Sequence, residues 1–503
     1  MATTVGNGLV PYDDKAVSAW LSDQRFQREV WRSWDPLGHA CLKGELNVCK
    51  WLYAHGADIA KAVQFGQTPM WIACMSGHLK VCEWLWEVGA KADVTKVDNT
   101  GATPMYVACR NGYLKVCQWL QAHGAAKDTR VRSNIGRTPM YIACMHGHLE
   151  VCKWLWEVGA APDIRKVADR GTTPMLLACE NGHLKVCQWL WEVGAAADII
   201  NANKRGCTPM YVACENGHLK VCEWLREAGA AADVTKANNN GCTSMWIACH
   251  QGHLKVCQWL REVGAAADVT KASDCGETPM YVACENGHLK VCQWLWEVGA
   301  AVDITKSRND GATPMYVACR VGQLSVCKWL WEVGAANDIA EVDNLGRTPM
   351  YIACQYNHLS VCQWLVLNGA LNTPPPAEDD DGHVDHANVK RDTRDSLNST
   401  FFSALCAWAQ DVAAAHHAFL YVVLRASVIL PGYFHQVSPN ERCHLPRLPR
   451  AVLELLGELL GVETGRRARN VREFALVVAF PGGVLTRAQH RRSQSVPLIL
   501  YRT

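Results

Sequence analysis

The tripeptide Thr-Pro-Met returns at Thr68, Thr103, Thr138, Thr173, Thr208, Thr278, Thr313 and Thr348, and Thr243-Ser244-Met245 fills the one gap in the same register. The spacing, 103 − 68, is 35 residues. A period of that length means a stack of small supersecondary units, each unable to bury its apolar side alone and obliged to pack on its neighbours. A degenerate copy comes first, where Asp35-Pro36-Leu37 leads to Cys41, Gly44, Cys49 and Trp51. About ten units are therefore expected, well beyond the roughly three such a stack needs.

The punctuation within a unit predicts two short helices. Thr68 is placed to cap the first and Pro69 to open it, since proline there lacks only a donor that has no intrahelical partner anyway. The first helix is expected over Met70 to Met75, ending at Gly77, and the second over Leu79 to Val88, ending at Gly89, both glycines suiting a left-handed C-cap. Ala90 to Ala102 then reads as an extended arm with a turn at Asn99-Thr100-Gly101, repeated at Asp169-Arg170-Gly171 and Asn239-Asn240-Gly241.

The consensus Gly-x-Thr-Pro-Met-Tyr-x-Ala-Cys-x-x-Gly-His-Leu-x-Val-Cys resembles the ankyrin repeat, whose pattern runs Thr-Pro-Leu-His-x-Ala over about 33 residues. The resemblance covers residues 34–371. The chain departs from the pattern in Met-Tyr for Leu-His, in cysteine at two core positions and in two extra residues per unit, which are assigned to the arm. The resemblance implies an all-α ankyrin-repeat solenoid of about ten helix-turn-helix units with hairpin arms, whose first helices and hairpin tips line a concave, protein-binding face. Around it are expected an N-terminal helical cap at 1–33, a disordered linker at 372–400 and a small, mostly helical module at 401–503.

Comparing the units with one another separates scaffold from free positions. Tryptophan stands in every unit, at Trp51, Trp84, Trp119, Trp154, Trp189, Trp224, Trp259, Trp294, Trp329 and Trp364, and this column is expected in the core. Burying roughly 200 Å² of each bounds its contribution near 5 kcal/mol. Two residues on, Trp86, Trp156, Trp191, Trp296 and Trp331 alternate with Gln121, Arg226, Arg261 and Val366, so that column is partly exposed and packs between repeats or offers an aromatic stripe to a partner. Cys74, His78 and Cys82 have a spacing that tempts toward zinc, but Glu45, Tyr113 and Gln323 replace the histidine elsewhere while both cysteines stay. The cysteines are read as small apolar core residues and the histidine as bonding the turn between its helices. No metal site and no cofactor are expected.

Recognition is placed where the units differ. The first helices end in Arg110-Asn111, Met145-His146, Glu180-Asn181, His250-Gln251, Arg320-Val321 and Gln355-Tyr356, and of these Arg110, Asn111, Met145, His146, His250, Gln251, Arg320, Gln355 and Tyr356 are taken as partner-binding. On the arms, Lys127, Arg130, Arg132, Arg137, Arg165, Lys166, Arg170, Lys204 and Arg205 cluster over three units, diluted by Asp128, Asp163 and Asp169. Arg132, Arg137, Arg170, Lys204 and Arg205 are the candidates for meeting an acidic patch on a protein partner.

A formal net charge of +2 gives no global attraction to nucleic acid or membrane, and neither is expected as a partner. The longest apolar stretch, Val412 to Pro431, contains His416, His417 and Arg425, costly at a bilayer centre. Without a basic, then apolar leader at its start, and with 25 cysteines over a long chain, the protein is expected in the cytoplasm with reduced thiols. The basic tail, Arg466, Arg467, Arg469, Arg472, Arg491 and Arg492, makes the nucleus the alternative. No phosphate loop or nucleophile motif is found, so an enzyme is not expected. The function expected is a protein-protein interaction scaffold. The alternative is a substrate-recognition adaptor of a ubiquitin-ligase complex, because Leu448-Pro449 opening the leucine-rich stretch to Leu456 loosely resembles F-box and SOCS-box-like helices.

Overall fold

The computed structural model describes residues 35–370. The expected cap, linker and C-terminal module, with the Leu448 to Leu456 stretch and the basic tail, lie outside the described residues. The chain divides into two compact units, Met1–Asp274 and Cys275–Thr503.

In the first unit seven helix pairs follow one another. The first helices are Pro36–Lys43, Pro69–Ser76, Pro104–Arg110, Pro139–Met145, Pro174–Glu180, Pro209–Glu215 and Ser244–His250. The second helices are Leu46–Ala54, Leu79–Glu87, Leu114–Leu120, Leu149–Leu155, Leu184–Leu190, Leu219–Leu225 and Leu254–Glu262. The second unit holds three pairs, with first helices Pro279–Glu285, Pro314–Val321 and Pro349–Gln355 and second helices Leu289–Leu295, Leu324–Glu332 and Leu359–Leu367. Within each unit first helices pack on the first helices of neighbouring repeats, and each second helix packs on its own first helix.

The helix starts follow from local chemistry. Each threonine of the Thr-Pro-Met motif turns its Oγ1 to accept from a backbone N–H three residues on, as Thr68 does from Trp71 at 3.2 Å and Thr103 from Tyr106 at 3.1 Å. The helix ends reach further. Gly112 has φ +78, and a Cβ there would meet the ring of His148, in the next repeat, at 2.5 Å. The histidine therefore lies across the preceding glycine, and its Nε2 donates to the Arg110 carbonyl at 2.9 Å. His78 bonds Leu42 O at 3.0 Å and His218 bonds Glu180 O at 3.1 Å in the same way. This corrects the sequence reading: the histidine fastens its repeat to the one before, not to its own turn.

The arm is not extended throughout. Its first residues wind into short turns of 3-10 helix, such as Lys91–Val94 and Ala231–Val234, and in several repeats a π turn such as Trp156–Ala160 precedes them. Runs such as Ala195-Ala196-Ala197 are good helix formers, which is why the arm winds before it turns. Only the tip is hairpin-like, with Asp98 N to Ala102 O at 3.1 Å, and successive tips are laced together by Asn99 N to Phe65 O at 2.8 Å and Asn134 N to Thr100 O at 2.9 Å.

The core belongs to small residues. Met105, Ala108, Cys109, Cys117 and Leu120 are fully buried and their equivalents are buried in every repeat, and Cys109 and Cys117 touch at 3.6 Å between sulfurs. Burial pushes the thiols of Cys74, Cys109, Cys144, Cys179, Cys214, Cys284 and Cys319 well above their ordinary pKa. The tryptophan column fills this core only in part. Trp84, Trp154, Trp189, Trp329 and Trp364 are buried, whereas Trp51, Trp119, Trp224, Trp259 and Trp294 are half-buried, because one row of helices leaves the far side of the second helix to solvent. The column two residues on packs edge-on against the next repeat's tryptophan, as Trp86 does on Trp119 and Trp331 on Trp364, while Trp156, Trp191 and Trp296 stay about 40% exposed.

Candidate partner-binding surface

Behind each arm runs a column of buried aspartates: Asp93, Asp128, Asp163, Asp198, Asp233, Asp268, Asp303 and Asp338. Most take a lysine from three residues on, Lys96, Lys166, Lys236, Lys271 and Lys306, at 3.3–3.9 Å. Asp163 also takes Arg130 at 3.5 Å, and Asp198 takes Arg165 at 3.3 Å. Arg130, Arg165 and Lys166 of the expected basic cluster are thus tied to carboxylates of the scaffold. Asp163 and Asp128 are buried, so they do not dilute the surface charge as the sequence suggested. At Asp128 and Asp338 the position three residues on is Val131 and Glu341. There burial goes uncompensated, and the carboxyls are pushed up to about 6 and about 7, Glu341 adding to the second.

What remains free on the arms is Lys127, Arg132, Arg170, Lys204 and Arg205, all exposed, with Arg137 half-buried and its guanidinium 5.7 Å from the Tyr141 ring centre. The aromatic residue that replaces the family's histidine holds the arms in place. Trp71 Nε1 donates to Ala102 O at 3.0 Å, Tyr141 Oη meets Thr172 Oγ1, and Asn238 Nδ2 donates to Tyr211 Oη at 3.3 Å. In the second unit Tyr316 Oη donates to Asp343 at 2.9 Å.

The helix-end candidates divide. In the first unit Arg110 and Gln251 are exposed, and Met145, His146 and His250 are half-buried. Asn111, though exposed, spends its amide on Met75 O at 2.8 Å, so it is partly a fastening. Met145 packs against the cluster of Tyr141, Ala168 and Leu177. His146 stacks on His148 at 6.3 Å, and partial burial, then Arg110, His148, His183 and Arg137, hold its pKa below the ordinary value. His250 stacks on Trp246 at 5.3 Å. In the second unit Gln355 and Tyr356 are exposed, while Arg320 forms an ion pair with Glu285.

Sequence reasoning named Glu180 among the helix ends without carrying it into the partner-binding set, and passed over Glu215. They end their first helices in the Arg110 and Met145 column, half-buried. Burial raises both pKa values and Glu180 raises that of Glu215 further, against a smaller lowering from Arg137 at Glu180 and from Arg205 at Glu215. Two glutamates in successive units at a column that elsewhere takes arginine was the available signal.

The candidate zinc set is divided by the fold. Cys74 and Cys82 meet in the core at 3.6 Å, while His78 turns to Leu42 O. Among the described residues no three His, Cys, Asp or Glu side chains gather as a metal site requires. No helix among them is long and apolar enough to cross a membrane.

A family model described as ankyrin repeats (3 copies) matches in overlapping stretches at residues 12–98, 37–131, 88–166, 158–238, 229–306 and 298–374. No curated protein matches. Among solved structures, the crystal structure of the human ASB11 ankyrin repeat domain matches at 24% identity over 45% of this chain and 98% of that one, with a TM-score of 0.38. Capped helix pairs recurring every 35 residues under a repeat model that matches from residue 12 to 374 of a 503-residue chain lead to one conclusion: the chain belongs to the ankyrin-repeat family.

Proposed function

We propose that the chain is a non-catalytic scaffold that binds a protein partner on the arms and first-helix ends of its repeats, the arm residues Arg132, Arg137, Arg170, Lys204 and Arg205 meeting an acidic patch. The observation that carries this reading is the contrast within one period. Core positions repeat almost unchanged from unit to unit, while the exposed arm tips run Thr100, Ile135, Arg170, Arg205 and Asn240. A surface that varies over an invariant core is free to encode recognition, and clustered cations steer an acidic partner. Charge reversal of Arg132, Arg137 and Arg170 together is expected to lower partner affinity about tenfold or more at low ionic strength. Unchanged affinity there would remove the arms from the interface.

The remaining candidates, Arg110, Asn111, Met145, His146, His250, Gln251, Arg320, Gln355 and Tyr356, are proposed as the partner's second row of contacts. A cytoplasmic location fits the free thiols throughout the described core. The adaptor alternative rests on the Leu448 to Leu456 stretch, outside the described residues; no observation here favours it over the scaffold.

A further inference from the structure

The column of first-helix ends runs Arg110, Met145, Glu180, Glu215 and His250 through five adjacent repeats of the first unit. Its backbone is pinned, since His218 Nε2 donates to Glu180 O and His253 Nε2 to Glu215 O, both at 3.1 Å. The same column in the second unit shows what a half-buried glutamate takes there: Glu285 holds the guanidinium of Arg320 from the following repeat. Glu180 is followed by Glu215, and Glu215 by His250, so the column supplies no guanidinium to this pair. Neither carboxylate has an ion-pair partner within 4.0 Å among the described residues. The arm cations act on the pair only from a distance: Arg137 lowers the pKa of Glu180 and Arg205 that of Glu215, by less than burial raises them, while Arg137 lies over Tyr141 and Arg205 is exposed at its tip.

We propose that the strip between the arms and the first-helix ends of the repeats at Thr138, Thr173 and Thr208 receives a partner segment of mixed charge, its basic side chain entering between Glu180 and Glu215 while its acidic side chains meet Arg137, Arg170 and Arg205. This deepens the scaffold reading and rests on it. Charge complementarity names the partner's chemistry: a row of exposed cations wants carboxylates, and beside it two desolvated carboxylates want a cation. Arginine suits the second role best, because adjacent first helices lie about 8–10 Å apart and a planar fork on a long stem spans two acceptors. The raised pKa values of both glutamates agree, since each carries a desolvation cost that such a cation would offset.

The test is selection of random 12-residue peptides by phage display on the full chain and on the isosteric Glu180→Gln, Glu215→Gln double variant, whose thermal unfolding is checked alongside. The full chain is expected to select peptides carrying arginine or lysine flanked by Asp or Glu. The double variant is expected to keep the acidic preference, lose the basic one, and bind the peptides selected by the unsubstituted chain at least tenfold more weakly. Peptides without a basic residue, or a basic preference the variant leaves intact, would overturn this assignment and leave the scaffold reading standing. Selection of no peptide by either protein would count against the scaffold reading itself. Displacement of the selected peptides by a synthetic peptide of residues 464–474 would put the chain's own basic tail in the strip and overturn the assignment to a partner.

Discussion

Asp128 and Asp338 stand where six other repeats put an aspartate with a cation beside it, and the difference lies in single residues, Val131 and Glu341 in place of lysine or asparagine. Folding raises their pKa to about 6 and about 7, against an unfolded value near 4. The folded chain therefore holds these protons more tightly than the unfolded one. The stability they contribute is present in full below about pH 4 and is lost as pH rises toward 7. Replacing Asp338 with Asn should stabilise the protein by on the order of 1–2 kcal/mol at pH 8, and the gain should vanish near pH 4, measured as unfolding midpoints across pH. A gain independent of pH would show that the carboxyl is not the cause. Burial decides thiol chemistry too. Cys275 is exposed and every other described cysteine is buried, so brief alkylation of the native protein followed by peptide mapping should label Cys275 first among them.

At the scale of the element, Gly112 answers two demands at once, a left-handed backbone and room for the His148 ring. Gly112→Ala should cost about 1–3 kcal/mol, and Thr103→Ala, which removes only a cap, about 1 kcal/mol, both read from denaturant unfolding. A smaller loss at Gly112 than at Thr103 would mean the ring contact is dispensable. The helices themselves were legible because their signals are local: a threonine cap, a proline at the first position, a glycine at the end. The ring over the glycine was not, since it joins residues 36 apart through the stack. The arm was misread as extended although its alanine run spoke for winding. The tryptophan column was overvalued, since an invariant large residue was equated with a buried one, whereas Trp224 and Trp259 are half-buried.

Across the whole chain, stability in a repeat array accumulates from intrinsic repeat terms and nearest-neighbour contacts, which leaves exposed positions free to differ. Comparing units therefore picked out columns that vary, and in the arm column Arg132, Arg170, Lys204 and Arg205 are exposed. It could not tell which cations the scaffold consumes. Arg130 and Arg165 look like surface charge in sequence, yet each reaches a buried aspartate about one period away, at Asp163 and Asp198. Nor did it take Glu180 or Glu215 as partner-binding, because a glutamate at a helix end reads as solvated until burial beside a second carboxylate is seen. The measurement that bears most directly on the scaffold account is affinity capture from native cell lysate with quantitative mass spectrometry, comparing the full chain, a truncation ending at Asn398, and the full chain with Arg132, Arg137 and Arg170 reversed to Glu. The account predicts a protein retained by the first two baits and depleted from the third; partners lost on truncation and indifferent to the reversal would contradict it.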